Sequence, residues 1–210
     1  MQKSFFITFE GPEGSGKSTI IKMIAAYLEE KKWAYVVTRE PGGSAIAEQI
    51  RNIILDPNNL TISYETEALL YAASRAQHFK DVIAPALKEK KIVLCDRFID
   101  SSLAYQGVAR GLGLERISQL NRFAINDVWP DLTIFFDIDP LAGLARIKEN
   151  NDREINRLDL EKQQFHDQVY EGYKEVIRLN PQRFKVVDAA QEIEKVFNDV
   201  KNIITSSIEG

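Results

Sequence analysis

Three observations predict an α/β fold built on a five-stranded parallel sheet flanked by helices. Five short apolar runs recur along the 210 residues, helical segments separate them, and a glycine-rich loop joins the first run to the first helical segment. Most of the runs are nearly continuous in apolar character, as in strands covered on both faces; a half-exposed strand would alternate. Strands alternating with helices imply right-handed crossovers between parallel neighbours. In such sheets ligands gather at the carboxyl ends of the strands.

The first strand is expected at Phe5–Glu10, and the loop GPEGSGKS follows at 11–18. Behind Lys17, the residues Ile20, Ile21, Ile24, Ala25 and Leu28 repeat on one helix face. The second strand is expected at 35–38, and Ile46, Ile50, Ile53 and Ile54 carry the next helix. The segment 65–90 reads as a helix leading to the third strand, Ile92–Asp96. A helix over 115–128 precedes the fourth strand, Leu132–Asp137, and helices over 159–179 and 189–204 bracket the fifth, 184–187. The stretch NNDREINR at 150–157 has no apolar period and reads as an exposed, mobile connection between two helices.

Composition narrows the function. Hydrophobic residues at 44% and charged residues at 28% are ordinary for a globular protein with a sizeable core, and the length suits one domain. A net charge of -4 argues against a nucleic-acid polymer as partner, which calls for a basic surface, and leaves small anionic ligands open. The single cysteine, Cys95, excludes an internal disulfide and is expected to pack as a small hydrophobe. No run approaches the roughly 18 apolar residues of a membrane span. No signal core precedes Glu10, so the cytoplasm is the expected compartment.

The loop matches GxxxxGK[ST] at Gly11, Gly16, Lys17 and Ser18 and has the strand before it and the helix after it that the motif requires. Its glycines permit backbone angles that aim successive N–H groups at one anion, and the helix start adds its positive end. This predicts a P-loop NTPase-like sheet with ATP held by Gly11, Pro12, Glu13, Gly14, Ser15, Gly16, Lys17, Ser18 and Thr19. Lys17 is expected on the β- and γ-phosphates, and Ser18 on magnesium. Asp96, at the end of the third strand, resembles the Walker B acid close to that metal.

A phosphate loop leaves NTPases, switches and kinases open. The guanine-specific Asn-Lys-x-Asp signature is absent. A phosphorylated acceptor needs its own cations, preferably forked guanidinium groups. Arg39 and Arg97 stand just past strand ends, and Arg75 lies within a helix.

The pieces FEGPEGSGKS, TREPGG (38–43), LYAASR (70–75), DRFIDSSLAYQG (96–107), NDVWPD (126–131) and NNDREINRLD then fall in an order that resembles thymidylate kinase over nearly the whole chain. The resemblance implies phosphoryl transfer from ATP to dTMP, with magnesium, by a single nucleoside monophosphate kinase domain whose lid lies at about 150–158. It further implies a homodimer packed through helices. It assigns Glu13 to the sugar 3′-hydroxyl, Arg97 with Arg39 to the acceptor phosphate, and Tyr71 to stacking on thymine. Arg75 falls on an exocyclic oxygen of the base, Ser102 and Gln106 on the rest of its edge, Tyr105 on the 2′ position, and Arg51 near the base pocket. The phosphate loop carries no arginine, and the family type this chain resembles supplies one from the lid, so Arg153 and Arg157 join Lys17, Asp96 and Arg97 as expected catalytic residues. The acceptor oxygen is already ionised at neutral pH and needs no strong base. That fits a chain with two histidines, His78 and His166, both read as solvent or packing residues.

Overall fold

The computed structural model describes residues 3–149 and 157–209. Most of the expected lid, Arg153 included, lies outside the described residues. Five parallel strands stand in the order β2-β3-β1-β4-β5: β1 (Phe5–Glu10), β2 (Tyr35–Arg39), β3 (Ile92–Asp96), β4 (Leu132–Asp137) and β5 (Phe184–Asp188). The predicted sheet is therefore present, with β1 at its centre. Register brings three strand ends level, because Asp96 pairs with Phe9 on one side and with Arg39 on the other.

Alternation along β1 divides the core, as the pleat requires. Ile7 and Phe9 join Leu94, Ile134 and Phe136 under α1 (Lys17–Glu30) and α9 (Ile193–Glu209), which contribute Ile24, Leu28, Val196 and Val200. Phe6 faces the other way, with Val93, Cys95, Phe98 and Phe135, toward Ile83, Ile125 and Tyr173. Cys95 is fully buried there, as expected. Glu10 follows Phe6 and Thr8 at the same period, so its carboxylate enters the protein on that second face.

The remaining helices are α2 (Ala45–Leu55), α3 (Tyr64–His78), α4 (Ala84–Lys88), α5 (Ile99–Ser102), α6 (Leu114–Ile125), α7 (Pro140–Glu149) and α8 (Gln163–Leu179). The expected helix at 65–90 is one run whose middle, Phe79–Ile83, widens to a π-helix before Pro85, which has no N–H to continue the α pattern. The helix expected over 115–128 ends at Ile125 because Asn126 and Asp127 turn left-handed. That expected over 159–179 begins at Gln163, preceded by a short 3₁₀ turn, Arg157–Leu160. The last helix runs later than expected, from Ile193 to Glu209. Periodicity had not marked α7, nor the α5 turn with its π continuation Leu103–Ala109, which directly follows Arg97.

Candidate active site

One cavity of about 460 Å³ opens at the carboxyl ends of β1, β2 and β3. The phosphate loop lines one end, Tyr71, Arg75 and Gln106 line the other, and Arg97 stands among the lining residues with Arg39, Arg51, Ser102 and Tyr105. Glu13, Gly14, Ser15, Gly16, Lys17, Ser18, Thr19 and Asp96 also face it. Gly11 and Pro12 do not, and contribute through their carbonyl groups.

At the loop, Lys17 is 7% exposed, and its ammonium donates to Gly11 O (3.0 Å), Pro12 O (2.8 Å) and Ser15 Oγ (3.1 Å). Burial first, and then Arg97, lowers its pKa to about 8. Gly14 has φ +71 and passes against α7: a Cβ on it would stand 2.0 Å from Gly143 O, and a Cβ on Gly143 would stand 2.3 Å from Glu13 O. Two glycines from distant segments are needed for that crossing. Ser18 Oγ donates to Asp96 Oδ2 at 2.7 Å. A hydroxyl and a carboxylate so close offer the hard oxygen ligands magnesium prefers, with nucleotide oxygens and water to complete the shell. Among the described residues no group of three or more His, Cys, Asp or Glu forms a metal cage.

Arg97 follows Asp96 in a left-handed conformation, φ 65, with its N–H bonded to Phe9 O at 3.0 Å. This turn carries the chain off the sheet and its guanidinium into the cavity. Nη2 donates to Glu13 Oε1 (2.7 Å), and Nη1 to Tyr173 Oη (2.9 Å) and Ser101 Oγ (3.2 Å). Burial works against its charge, but Tyr105, Glu13, Tyr173 and Glu10 more than offset this and hold the guanidinium above its ordinary pKa.

Arg75 is 1% exposed and heavily engaged. Nε donates to Glu40 Oε2 (2.7 Å), Nη1 to Ser102 Oγ (2.9 Å) and Asn121 Oδ1, and Nη2 to Phe98 O (2.9 Å). Glu40 in turn meets His78 Nδ1 at 2.9 Å, and His78 Nε2 meets Thr38 Oγ1 at 2.6 Å. His78 is thus a buried structural residue, and the sequence reading of it as packing is sound for this network. Gln106 donates Nε2 to Glu67 Oε1 at 2.9 Å. Glu67 also takes Arg110 and, at 2.5 Å, Arg157 Nη2. Its burial disfavours charge, yet the hydrogen bonds from Arg110, Gln106 and Arg157 keep its pKa below the usual carboxylate value.

Arg157 is buried, bonded to Ile54 O (2.9 Å) as well as Glu67, and is not among the cavity's lining residues. Arg39 is half exposed and pairs with Glu48 at 3.0 Å, while Arg51 donates to Pro41 O at 2.8 Å. Burial, then the neighbouring Arg39, lowers the Arg51 pKa. Tyr105 is 6% exposed, with its ring beneath the Arg97 guanidinium. Sequence reasoning missed Glu10, Glu40, Glu67, Ser101, Asn121, Arg146 and Tyr173. Arg146 lines the cavity from α7 and donates to Ala189 O at 3.0 Å. Glu10 had a usable signal, a carboxylate closing an apolar strand, and Glu40 directly follows β2; the others come from helices whose partners are set by tertiary packing.

A profile of the family described as thymidylate kinase matches residues 9–200. The chain is 54% identical over 204 residues to the thymidylate kinase of Clostridium novyi (strain NT), covering 97% of this chain and 100% of that one. It is 60% identical over 199 residues to the thymidylate kinase of Anoxybacillus flavithermus (strain DSM 21510 / WK1), 95% of each chain. The crystal structure of thymidylate kinase from Ehrlichia chaffeensis matches with a TM-score of 0.78 at 34% identity, over 96% of this chain and 99% of that chain.

Proposed function

The chain belongs to the thymidylate kinase family, and from that premise we propose that it transfers the γ-phosphoryl group of ATP to dTMP, giving dTDP. The observation that carries this reading is a single cavity with a phosphate loop at one end and a shaped hydrogen-bonding edge at the other. Four of the five Arg75 N–H groups are committed to Glu40, Ser102, Asn121 and Phe98, and one Nη2 hydrogen remains to donate. Gln106 gives an amide hydrogen to a carboxylate, which can only accept, and so keeps its carbonyl oxygen as an acceptor. A donor beside an acceptor complements the O4 and N3–H of thymine. Cytosine reverses both groups at that edge and would leave the pair unsatisfied.

Tyr71 supplies an aromatic face for the base, and Tyr105 fills the space a 2′-hydroxyl would need. Glu13 takes the sugar 3′-hydroxyl while tying the phosphate loop to Arg97 at 2.7 Å. Arg97, with Arg39 close by, grips the acceptor phosphate, and Lys17 the donor phosphates. An ionised phosphate oxygen attacks the γ-phosphorus in line, the bond to the β-bridging oxygen breaks, and ADP leaves with that electron pair. Ser18 and Asp96 would hold magnesium, which neutralises charge on the transferring group when bound. Catalysis is then chiefly the placing of anions beside fixed cations.

The vacancy for a late-arriving arginine falls to the lid. Arg157 is engaged by Glu67 and Ile54, which favours Arg153 for the transferring phosphoryl. Exposed apolar side chains on α2, α3 and α6, namely Ile46, Ile53, Leu69 and Phe123, support a homodimer packed through these helices. Among the described residues no helix is long and apolar enough to cross a membrane, and the cytoplasm is the proposed compartment.

In a coupled ADP-release assay, turnover should require dTMP. Thymidine should not serve, dCMP should be barely used, and dUMP should be used at about 10–200-fold lower kcat/KM, the range one missing methyl group allows. ADP release with thymidine alone would reject the assignment. Arg153→Ala should lower kcat by about 10³ or more with dTMP affinity preserved, as for a contact formed late in the reaction; an unchanged kcat would place the arginine elsewhere. Sedimentation equilibrium should give twice the 23.9 kDa chain mass, with Phe123→Asp shifting it toward the single chain; a chain-mass species at micromolar concentration would contradict the dimer.

A further inference from the structure

Glu10 lies at the end of β1, is 0% exposed, and takes no part in the reaction described above. Its two oxygens are differently occupied. Oε1 accepts from the backbone N–H groups of Phe98 (2.7 Å) and Ser101 (3.3 Å). Oε2 accepts from two hydroxyls, Ser101 Oγ (2.6 Å) and Tyr173 Oη (2.8 Å). Those same two oxygens accept from Arg97 Nη1, at 3.2 and 2.9 Å. A hydroxyl has one hydrogen. With both hydrogens directed at an ionised Glu10, each hydroxyl turns a lone pair to the guanidinium.

We propose that Glu10 is a positioning residue for acceptor-phosphate binding: through Ser101 and Tyr173 it orients two hydroxyl lone pairs that hold Arg97 in place. This rests on the reading of Arg97 as the acceptor-phosphate ligand. The arrangement explains why a carboxylate is buried where no cation among the described residues touches it directly. Its counter-charge reaches Arg97 through a layer of hydroxyls, and the remaining forked donors of Arg97 stay directed at the cavity.

Charge state matters to this device. The charged groups around Glu10 are Asp100 and Arg97 beside it, Lys17 in α1, and Arg183 just before β5. Tyr105, Tyr173 and Cys95 are the neutral titratable neighbours. Burial first, then Asp100, raises the Glu10 pKa to about 7. A proton on Oε2 turns that oxygen into a donor and removes the charge that fixed both hydroxyls: the one that receives it turns its own hydrogen to the other hydroxyl, 2.9 Å away, or toward Arg97. Glu10→Gln removes that charge at every pH. The two backbone N–H groups hold the amide oxygen in the Oε1 position, so the amide nitrogen replaces Oε2 and donates to both hydroxyls.

The test is calorimetric titration of dTMP and of thymidine into the full-length protein, as wild type, Glu10→Gln, Tyr173→Phe, their double variant and Arg97→Lys, at pH 6 to 8.5. At pH 8.5, Glu10→Gln and Tyr173→Phe should each weaken dTMP about tenfold or more, the scale of a hydrogen bond to a charged group, with thymidine changed less than about twofold. Their effects should be less than multiplicative in the double variant, since one removes the hydroxyl the other reorients. The Glu10→Gln to wild-type ratio of dTMP dissociation constants should fall toward one as pH drops through about 7, where wild-type Glu10 itself takes up a proton; the titration of dTMP cancels in that ratio. The proposal is overturned if dTMP and thymidine weaken alike, if dTMP binding is unchanged, if the two substitutions multiply, or if the ratio does not move with pH. If Arg97→Lys binds dTMP as well as wild type does, the acceptor-site reading itself fails. If Arg97→Lys is impaired while Glu10→Gln and Tyr173→Phe are not, only the positioning role fails. Thermal unfolding checks each variant, and should Glu10→Gln not fold, Tyr173→Phe decides by the same dTMP-to-thymidine split.

Discussion

The site depends on the turn that the chain makes at Asp96 and Arg97. A non-glycine residue at φ 65 is strained unless its surroundings hold it. Here the hold is explicit: the Arg97 N–H bonds to Phe9 O on the neighbouring strand, and the guanidinium is fixed by Glu13, Ser101 and Tyr173. The turn directs two adjacent side chains to two different tasks. Asp96 reaches Ser18 at the start of α1, while Arg97 reaches across the loop to Glu13. On the proposed reading, the donor and acceptor halves of the cavity therefore meet at one peptide bond, on the central strands of the sheet.

The same logic explains how a chain of net charge -4 builds a site for two anionic substrates. Three of the guanidinium groups lining the cavity are each held by a carboxylate: Arg75 has Glu40, Arg39 has Glu48, and Arg97 has Glu13 directly with Glu10 behind two hydroxyls, while the neutral Gln106 amide has Glu67. Such pairs contribute little net stability when buried, because desolvation offsets attraction. Their value is orientation: a guanidinium with four hydrogen atoms committed can offer the fifth in one direction only.

The sheet was legible in the sequence because β1, β3 and β4, buried on both faces, announce themselves as continuous apolar runs, which the half-exposed edge strands β2 and β5 echo, and the loop because its motif is local. Arg97, Asp96 and Arg39 were legible for a related reason: a charged residue ending an apolar run marks the ligand edge of a parallel sheet. Illegible were the residues that hold these groups. Tyr173 lies in α8, 76 positions after Arg97, and nothing local distinguishes it from a core tyrosine. Asn121, Glu67 and Gly143 likewise acquire meaning only when α6, α3 and α7 are packed. Arg157 shows the converse case. The family resemblance and the arginine-free phosphate loop suggested the phosphates, while its position beside Glu67 is decided by the packing of α2 and α3.

One cavity serving both nucleotides is the central claim, and a bridging ligand tests it most directly. Adenosine and thymidine joined 5′ to 5′ through a chain of phosphates should bind with a stoichiometry of one per chain. It should bind more tightly than ATP or dTMP alone, as linked ligands do when geometry permits both to engage, and both nucleotides should displace it. If it competes with only one of the two, or if ATP and dTMP each bind alongside it, the two ends of the cavity do not form one site and the account is wrong.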